Sequence, residues 1–536
     1  MFAAFAQAAA RHADRPFLAV LPETAAVYRI PAGEITYGEA GERVAALAAS
    51  YGRRGYGHGC RVGLLLENRP AHVLHWLALN SLGASVVPIN PDLRSGELSY
   101  LIDHSEMALA VAVLARHGDL AAAASVAGRR LPVVGPEDQP PPAPGPLPRS
   151  GPPDTDSECA LVYTSGTTGR PKGCVLPNEY FLNTGDWYTS VGHLMTMEEG
   201  IERMLTPLPL FHMNAMAVST LAMITCGGCL VLLDRFHPRT WWDSVRASRA
   251  TIFHYLGVMP AMLMTAPEGR DDRNHHVKFG FGAGVDRRLH ASFETRFGIP
   301  LIEAWAMTET GNGAVLAAAE EPRHVGTNSC GRPSSTIEVR VVGDDGSDLG
   351  IDVAGELLVR QAGPDPRFGF FREYLKDPEA TAEAWAGGWF HSGDVVRRGA
   401  DGTIHFVDRK KNVIRRSGEN ISAVEVESVL MQHPAVRQVA VAATPDPLRG
   451  DEVVACVVAR APPATPQGRE RLAAEIVAWC LERLAYYKAP GHVVFVDAVP
   501  LTATQKIQRG ELRTLVAAWV AGDTCVDTRA MKKRAA

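Results

Sequence analysis

The chain has 536 residues, 46% of them hydrophobic and 21% charged, with a formal net charge of -5 at pH 7. These values are typical of a globular protein with more than one domain, and they give no sign of the basic surface of a nucleic-acid-binding protein. Nine cysteines are scattered along the chain without a paired framework, which predicts a reducing, cytoplasmic environment.

Two segments could suggest a metal site or a membrane span, but neither is predicted to form one. Cys226 and Cys229 are a close pair without a second pair or a histidine cluster, so buried thiols are favoured. The nearly uncharged run from Phe211 to Leu233 contains His212, Asn214 and a Gly-Gly break. It therefore predicts a buried helix followed by a strand.

Helical and strand patterns alternate between about Thr36 and Val113, which predicts parallel sheet of the α/β class. The clearest segments are a helix at 37–51, a strand at 61–66, a helix at 71–82 and a strand at 84–88. Prolines then dominate residues 136–153, and this composition predicts an extended connector.

A loop rich in glycine and hydroxyl side chains follows the connector, with the sequence Tyr163-Thr-Ser-Gly-Thr-Thr-Gly-Arg-Pro-Lys-Gly173. An apolar strand enters it, and its bare backbone N–H groups, its hydroxyls and Lys172 suit a bound phosphate. A flexible surface loop is the alternative. The Walker spacing is absent, because Gly173 rather than Ser or Thr follows Lys172.

Beyond the loop, several apolar segments end in polar residues or glycines. Strands are expected at 230–233, 251–255, 278–284 and 301–309, with a helix at 240–248. His212 ends one apolar segment, Thr308 and Glu309 end another, and Asp394 ends a third. Ligands bind at the carboxyl ends of strands in an open parallel sheet. Taken singly, each of these residues could also be a turn residue or a satisfied core histidine.

The last part of the chain changes in character. Short β-rich segments between 337 and 359 predict a smaller antiparallel unit. A charge cluster, Asp408-Arg-Lys-Lys-Asn412, separates two apolar strands and predicts a domain boundary. A small α/β unit is expected from there to about Val520, and the last residues, Met531-Lys-Lys-Arg-Ala-Ala536, are expected to be a frayed basic tail.

The order of these motifs resembles that of the AMP-forming acyl-CoA synthetase superfamily, over nearly the whole chain from Thr36 to about Leu512. The loop at 163–173 is the most specific similarity. The other matching segments are Pro-Leu-Phe-His212, Trp305-Ala-Met-Thr-Glu309, Gly388-Trp-Phe-His-Ser-Gly-Asp394 and Asp408-Arg-Lys-Lys-Asn-Val-Ile-Arg-Arg-Ser-Gly-Glu-Asn-Ile-Ser422. Within the superfamily, the chain is most similar to the crotonobetaine/carnitine-CoA ligase-like branch.

The resemblance implies a fold and a reaction in two halves. A large N-terminal domain of stacked α/β sheets with a small β-rich subdomain would span 1–410. A small mobile α+β domain would span 411–520, with a tail at 521–536. A carboxylate would attack the α-phosphate of ATP in the presence of Mg²⁺, giving acyl-adenylate and pyrophosphate. The small domain would then rotate about a hinge at Lys411, and the thiol of CoA would displace AMP.

The resemblance also implies the catalytic residues. Lys506 would bridge the carboxylate and the α-phosphate, Thr308 would contact that phosphate, and His212 would border the acyl pocket. Glu309 and Thr168 would hold Mg²⁺. Such positioned charges stabilise a transition state with dense negative charge.

The same resemblance implies the binding residues for ATP, AMP and CoA. Trp305 would stack on adenine, Asp394 would bind the ribose hydroxyls, and Arg409 would support it. Ser417 and Gly418 would line the pantetheine channel. The full set expected for ATP and AMP is Thr164, Ser165, Gly166, Thr167, Thr168, Gly169, Lys172, Gly282, Ala283, Gly284, Trp305, Thr308, Asp394 and Arg409.

Some residues depart from the family pattern. Trp305 replaces the usual Tyr, and Ala306 replaces the usual Gly, which concerns the adenine and acyl pockets. Ser417 stands where glycine is common. Gln505 replaces the Gly before Lys506, which concerns the geometry of that lysine.

Three functions remain to be distinguished on these grounds. The first is an ATP-dependent acyl-CoA ligase, with a small carboxylic acid and CoA as partners. The second is an adenylation enzyme that loads a carrier-protein phosphopantetheine, and the third is a non-catalytic nucleotide-binding homologue. The identity of the acid and the oligomeric state, a homodimer included, stay open.

Overall fold

The computed structural model describes residues 1–145, 151–164, 170–343, 345–409, 414–417, 419–421, 423–500, 507 and 509–532. The α-helices in these ranges are α1 (Phe2–Arg11), α2 (Pro22–Tyr28), α3 (Tyr37–Arg53), α4 (Pro70–Ser81), α5 (Ser95–Ser105), α6 (His117–Val126), α7 (Asn178–Ser190), α8 (Thr220–Cys226), α9 (Trp241–Ser248), α10 (Val258–Met264), α11 (His290–Phe297), α12 (Pro378–Ala384), α13 (Ala423–Leu430), α14 (Pro466–Arg483) and α15 (Arg509–Val520). A π-helix, Asn214–Ser219, leads directly into α8.

The strands of the same ranges are β1 (Pro16–Val20), β2 (Gly33–Thr36), β3 (Arg61–Leu65), β4 (Ser85–Pro88), β5 (Leu109–Ala112), β6 (Val133–Val134), β7 (Glu158–Thr164), β8 (Lys172–Pro177), β9 (Arg203–Thr206), β10 (Cys229–Leu232), β11 (Ile252–Leu256), β12 (Phe279–Ala283), β13 (Leu301–Trp305), β14 (Leu316–Ala317), β15 (Ile337–Val342), β16 (Gly355–Gln361), β17 (Glu373–Tyr374), β18 (Phe390–Arg398), β19 (Ile404–Arg409), β20 (Ile414–Arg416), β21 (Glu419–Ile421), β22 (Val436–Asp446), β23 (Gly450–Ala459), β24 (His492–Phe495) and β25 (Cys525–Asp527).

The first large sheet has the strand order β14-β13-β12-β11-β9-β10-β1-β2. Its strands from β13 to β1 run parallel, and β14 and β2 pair antiparallel at the two edges. The carboxyl ends of β9, β11, β12 and β13 therefore lie on the same side of the sheet. That side is where an open parallel sheet binds its ligands.

The second large sheet has the order β17-β8-β7-β4-β3-β5-β6, and β8 returns antiparallel from β7. Helix α4 contacts β1 of the first sheet and β4 of the second. It is buried on all sides from His72 to Asn80, as expected for a helix that is apolar all round. One hydrophobic core, which includes Trp76 and Phe181, spans both sheets and the helices between them.

Local sequence signals explain where some elements begin. Thr36 accepts a hydrogen bond from the backbone N–H of Glu39, and the Glu39 carboxylate accepts one from the backbone N–H of Thr36. This capping box satisfies two N–H groups at the start of α3. The helix therefore begins immediately after β2.

Two smaller sheets complete the described fold. Strands β15, β16, β18 and β19 form an antiparallel sheet, which confirms the predicted antiparallel unit. Strands β20 to β25 form a second sheet with its own core, in which α13 and α14 cover one face and α15 covers the other. The stacked α/β sheets and this separate C-terminal domain confirm the predicted fold class. The predicted limits between domains stay predictions, since residues 410–413 lie outside the described ranges.

The segment after Val520 differs from the tail expected at 521–536. Strand β25 pairs antiparallel with β24, and the Lys532 side chain is buried in an ion pair with Glu452. The prediction of a tail is therefore wrong for residues 521–532. A strand of three residues leaves no periodic pattern in the sequence, so only its pairing reveals it.

The segments that could have suggested a metal site or a membrane span are part of the packed interior. Cys226 and Cys229 are buried free thiols, as predicted, and burial raises the pKa of each to about 12. Within the described ranges, no group of three or more His, Cys, Asp or Glu side chains is arranged for a metal ion. No helix there has the length and apolar character that crossing a bilayer requires.

Candidate active site

A large cleft of about 2580 Å³ lies between the strand ends of both large sheets and the C-terminal domain. Segments that follow β9, β11, β12 and β13 line one side of it, and residues that follow β4 and β7 line another. Of the residues predicted for the site, those that line the cleft are Thr164, Lys172, His212, Gly282, Ala283, Gly284, Thr308 and Glu309. Segments far apart in the sequence are thus brought to one place by the two sheets.

The predicted phosphate loop connects the two strands of a hairpin. Thr164 at the end of β7 pairs with Lys172 at the start of β8. The predicted residues between them, Ser165, Gly166, Thr167, Thr168 and Gly169, lie outside the described ranges. The ammonium group of Lys172 is 4.6 Å from the centre of the Tyr374 ring, within range of a cation–π contact. The ring therefore positions the lysine at the cleft.

Glu309 is a buried carboxylate at the wall of the cleft, with only 7% of its surface exposed. The Tyr374 hydroxyl donates a hydrogen bond to Glu309 Oε1 at 2.9 Å. Burial and the neighbouring Glu309 raise the pKa of Tyr374, so the hydroxyl remains a donor. A fixed carboxylate at the edge of a wide cleft fits Mg²⁺, which takes few protein ligands and keeps several waters or phosphate oxygens.

Trp305 and Asp394 form a buried pair beside the cleft. The Trp305 indole N–H donates to Asp394 Oδ2 at 2.8 Å, and both residues are almost fully buried. The cleft wall is formed by their neighbours Ala306 and Gly393. Trp305 thus lies in the core here, and its stacking on adenine stays a prediction. Arg409 is opposite Asp394 in the β18–β19 pairing, and its side chain lies outside the described part of the chain.

The glycines at the end of β12 allow a close approach of backbone segments. A Cβ atom on Gly282 would lie 2.2 Å from the Tyr255 carbonyl oxygen, and a Cβ on Gly257 would lie 1.6 Å from the Gly284 carbonyl oxygen. Glu303 accepts hydrogen bonds from the backbone N–H groups of Gly284 and Val285, at 3.0 and 3.1 Å. Burial raises the pKa of Glu303. This carboxyl group fixes the turn without lining the cleft.

The C-terminal domain reaches the cleft through the hairpin of β20 and β21. Glu419 Oε2 lies 3.4 Å from His212 Nε2, so the two domains meet at the predicted acyl pocket. Burial alone would raise the pKa of Glu419, but His212 holds that pKa below its usual range. Ser417 has a φ of 51°, in the left-handed region that favours glycine. Its backbone N–H donates to the Arg449 carbonyl at 2.8 Å.

Three further predicted residues cannot be placed. The adenylation lysine Lys506, the hinge Lys411 and the CoA-binding Gly418 lie outside the described ranges. Their roles stay predictions.

The sequence did not indicate Tyr374, Asn214 or Lys488, all of which line the cleft. Tyr374 lies in a strand of two residues, and its contact with Glu309 joins positions 65 residues apart. No local pattern could have indicated it. Asn214 had a weak signal, since it is a polar residue within an apolar run, two positions after His212.

Comparisons with known proteins find similarity over most of the chain. The chain matches a family model described as "AMP-binding enzyme" over residues 5–375 and one described as "AMP-binding enzyme C-terminal domain" over residues 425–506. It is 34% identical over 487 residues to a feruloyl-CoA synthase of Amycolatopsis sp., which covers 89% of this chain and 93% of the relative.

A second relative and a solved structure cover similar lengths. The chain is 29% identical over 501 residues to a crotonobetaine/carnitine–CoA ligase of Citrobacter koseri, covering 90% of this chain and 93% of the relative. A malonyl-CoA ligase structure with methylmalonyl-CoA and AMP bound has a TM-score of 0.74 and 28% identity, and it covers 91% of this chain and 97% of its own.

Proposed function

This chain belongs to the AMP-binding enzyme family and is an ATP-dependent acyl-CoA ligase, and we propose that both halves of its reaction take place in the cleft described above, with a carboxylic acid that carries no charge apart from its reacting carboxylate as the acyl donor. The observation that carries the site assignment is the convergence of Lys172, Tyr374 and Glu309 at the cleft between the two large sheets. An ammonium and a fixed carboxylate beside a hydroxyl-rich loop suit a nucleoside triphosphate.

In the first half-reaction, the carboxylate of the acid attacks the α-phosphate of ATP and pyrophosphate leaves. Lys172 and the loop after β7 bind the phosphates, and Thr308 at the end of β13 donates to the α-phosphate. Mg²⁺, when bound, neutralises phosphate charge, and Glu309 is the carboxylate that would hold it. Fixed donors and cations of this kind stabilise the charge that develops in phosphoryl-centred transition states.

The ribose and adenine are assigned to the wall between β13 and β18. Asp394 is the proposed acceptor for the ribose hydroxyls, and the Trp305 indole N–H fixes the orientation of its carboxylate. Gly282, Ala283 and Gly284 line the cleft at the end of β12 and are the proposed backbone contacts of the adenine. Trp305 therefore orients the Asp394 carboxylate in this structure. Stacking on the adenine would require the indole ring to leave the core.

In the second half-reaction, the thiol of CoA attacks the acyl carbon and AMP leaves. The hairpin of β20 and β21 points into the cleft, with Glu419 beside His212, so the arrangement described here suits thioester formation. We assign Lys506 to the first half-reaction, after rotation of the C-terminal domain about Lys411. Ser417, which directly follows β20, and Gly418 are the proposed contacts of the pantetheine arm.

The acyl group is assigned to the apolar end of the cleft. Trp187, Met213, Val218, Phe281 and Val258 line this end, and all of them are uncharged. Charged acyl groups would lose hydration there without gaining a partner. This favours an uncharged acyl chain or ring.

The test is a product assay with ATP, Mg²⁺, CoA and a panel of acids. We expect acid-dependent release of AMP and pyrophosphate and formation of a thioester. Formation of ADP, or transfer only to a carrier-protein phosphopantetheine, would contradict the proposal.

Lys506→Ala tests whether Lys506 acts in adenylate formation and not in thioester formation. Adenylate formation should slow roughly 100-fold or more, because a positioned transition-state charge is lost, while thioester formation from supplied acyl-AMP is spared. Arg471→Ala is the control, since it removes a charge from the same domain at a side chain that is 83% exposed. Equal loss of both half-reactions would refute the role of Lys506.

A further inference from the structure

One polar side chain lies in the otherwise apolar end of the cleft. Asn214 begins the π-helix and lines the cleft together with Val218 of the same helix. A π-helix is rare and often marks a functional site, because the extra residue per turn redirects side chains. The presence of a polar side chain at this position therefore needs an explanation, whereas apolar side chains are expected there.

The orientation of the Asn214 amide is set by a buried histidine. His254 Nδ1 lies 2.7 Å from Asn214 Oδ1 and 2.9 Å from Ser219 Oγ. His254 Nε2 lies 2.9 Å from the Tyr188 hydroxyl. Both rings are fully buried, and burial lowers the pKa of His254 to about 3, so its imidazole is neutral.

The proton positions follow from the need to satisfy buried donors. If His254 Nε2 carried the proton, the Tyr188 hydroxyl would be left without an acceptor among the described residues, which costs free energy in a buried position. The Tyr188 hydroxyl therefore donates to Nε2, and Nδ1 carries the proton. Nδ1–H then donates to Asn214 Oδ1, which is an acceptor only.

Because the side-chain oxygen of Asn214 accepts from His254, the two N–H groups of its amide can donate to a ligand in the cleft. No hydrogen bond from Asn214 Nδ2 to any described residue is found. We propose that Asn214 is a specificity residue of the acyl pocket, whose amide donates to an ether, hydroxyl or carbonyl oxygen in the distal part of the acyl group. This inference rests on the proposed function, since it requires an acyl group in this end of the cleft.

The position of the amide supports a contact with the distal part of the acyl group. His254 is paired with Phe281 in the β11–β12 register, one step before Gly282, where the adenine is assigned. The Phe281 ring packs against the His254 ring, with centroids 5.1 Å apart, and the Trp187 ring packs against Phe281, with centroids 6.1 Å apart. An acid that fills this end thus has apolar contacts along its length and meets one hydrogen-bond donor, the Asn214 amide, which requires an acceptor. A buried donor left unpaired disfavours acids that lack the acceptor.

The test compares matched acids that differ only in oxygen against methylene. The first pair is para-methoxyphenylpropanoic acid and para-ethylphenylpropanoic acid. The second is a methoxy-terminated alkanoic acid and the alkanoic acid of the same length. We expect the unaltered enzyme to prefer the oxygen-bearing member of the accepted pair by about 10-fold in kcat/KM for pyrophosphate release.

Two variants isolate the amide. Asn214→Leu should reduce that preference to within about 2-fold, because the donor is gone while the volume is kept. Asn214→Asp keeps the oxygen that faces His254 but has no N–H group, so it should also abolish the preference. This variant tests the proposal if Asn214→Leu does not fold. Asn274→Leu makes the same change at an exposed residue that does not line the cleft, and it should keep the preference ratio.

The outcomes separate this inference from the proposed function. Pyrophosphate release without any preference for oxygen, or a preference that persists in both Asn214 variants, would overturn the role of Asn214 alone. Absence of acid-dependent pyrophosphate release in the unaltered enzyme would overturn the proposed function and this inference with it.

Discussion

At the scale of single residues, the Glu309 carboxylate is held by Tyr374, a residue that belongs to none of the sequence motifs. Tyr374 donates to it, and the same ring faces Lys172, so one side chain contacts both the proposed metal ligand and the proposed phosphate ligand. Hydrogen bonds to charged groups are stronger than neutral ones. Tyr374 is therefore a positioning residue for two charges of opposite sign.

Tyr374→Phe should slow pyrophosphate release about 10-fold, corresponding to roughly 1.4 kcal/mol of barrier. The concentration of Mg²⁺ at half-maximal rate should rise as well, a change that a purely structural role would not produce. Tyr56→Phe is the matched control, because the buried Tyr56 hydroxyl has no hydrogen-bond partner among the described residues. An unchanged Mg²⁺ dependence in Tyr374→Phe would contradict the assignment.

At the scale of elements, the strand that leads to Thr308 and Glu309, β13, is held at its start by an ion-pair network. Glu294 on α11 accepts from the Arg323 guanidinium through both oxygens at 2.8 Å and from the backbone N–H of Leu301 at 2.8 Å. Burial alone would raise the pKa of Glu294, but Arg323 and His290 lower it to about 2. This contact links α11 and the chain after β14 to the first residue of β13.

The sign of the pH dependence follows from that lowered pKa. A carboxyl whose folded pKa is about 2 and whose ordinary value is 4.5 stabilises the fold fully above about pH 4.5, and the contribution is lost as the pH falls toward 2. The shift corresponds to roughly 3 kcal/mol at neutral pH. Glu294→Gln should lose an amount of this order and show a flatter stability profile in that window.

Chemical denaturation at neutral pH and near pH 4 measures this effect. Glu320→Gln is the control, since its side chain is 56% exposed and its loss should change the free energy of unfolding by less than about 0.5 kcal/mol. If Glu294→Gln were as stable as Glu320→Gln at neutral pH, the network would not support β13.

At the scale of the whole molecule, a buried ion cluster joins the two domains. Lys488 of the C-terminal domain contacts Glu97 on α5 at 2.6 Å and Glu425 on α13 at 2.9 Å. Burial alone would lower the pKa of Lys488, but the two carboxylates raise it, so the ammonium stays charged. Asn90 donates to the Tyr487 hydroxyl at 2.8 Å beside it. These contacts hold the C-terminal domain in the arrangement proposed for thioester formation.

Lys488→Met should destabilise that arrangement, because it leaves Glu97 and Glu425 buried together without the ammonium between them. Thioester formation from supplied acyl-AMP should slow about 10-fold, while adenylate formation is spared, since rotation of the domain separates Lys488 from Glu97. Glu97→Gln should have a smaller effect in the same direction. Loss of adenylate formation to the same extent would show that Lys488 supports the fold rather than one arrangement.

Much of the fold was predictable because it is encoded locally. The alternation of helices and strands, the antiparallel unit at 337–359 and the glycine-rich loop after β7 all follow from periodicity and turn residues within short windows. The positions of His212, Thr308 and Glu309 near strand ends follow in the same way, and the sheet brings them to one cleft. The short strand β25 was missed because three residues carry no period.

The sequence by itself determined the family, the order of the motifs and the types of residue that line the cleft. Only the tertiary structure decided which side chains meet there: Tyr374 with Glu309, His254 with Asn214, and Lys488 with Glu97 across 391 positions of the chain. The physical reason is that periodicity reports the backbone of one segment, whereas a contact between side chains depends on how separate segments pack. The same packing turned the Trp305 indole toward Asp394, which no local pattern indicates.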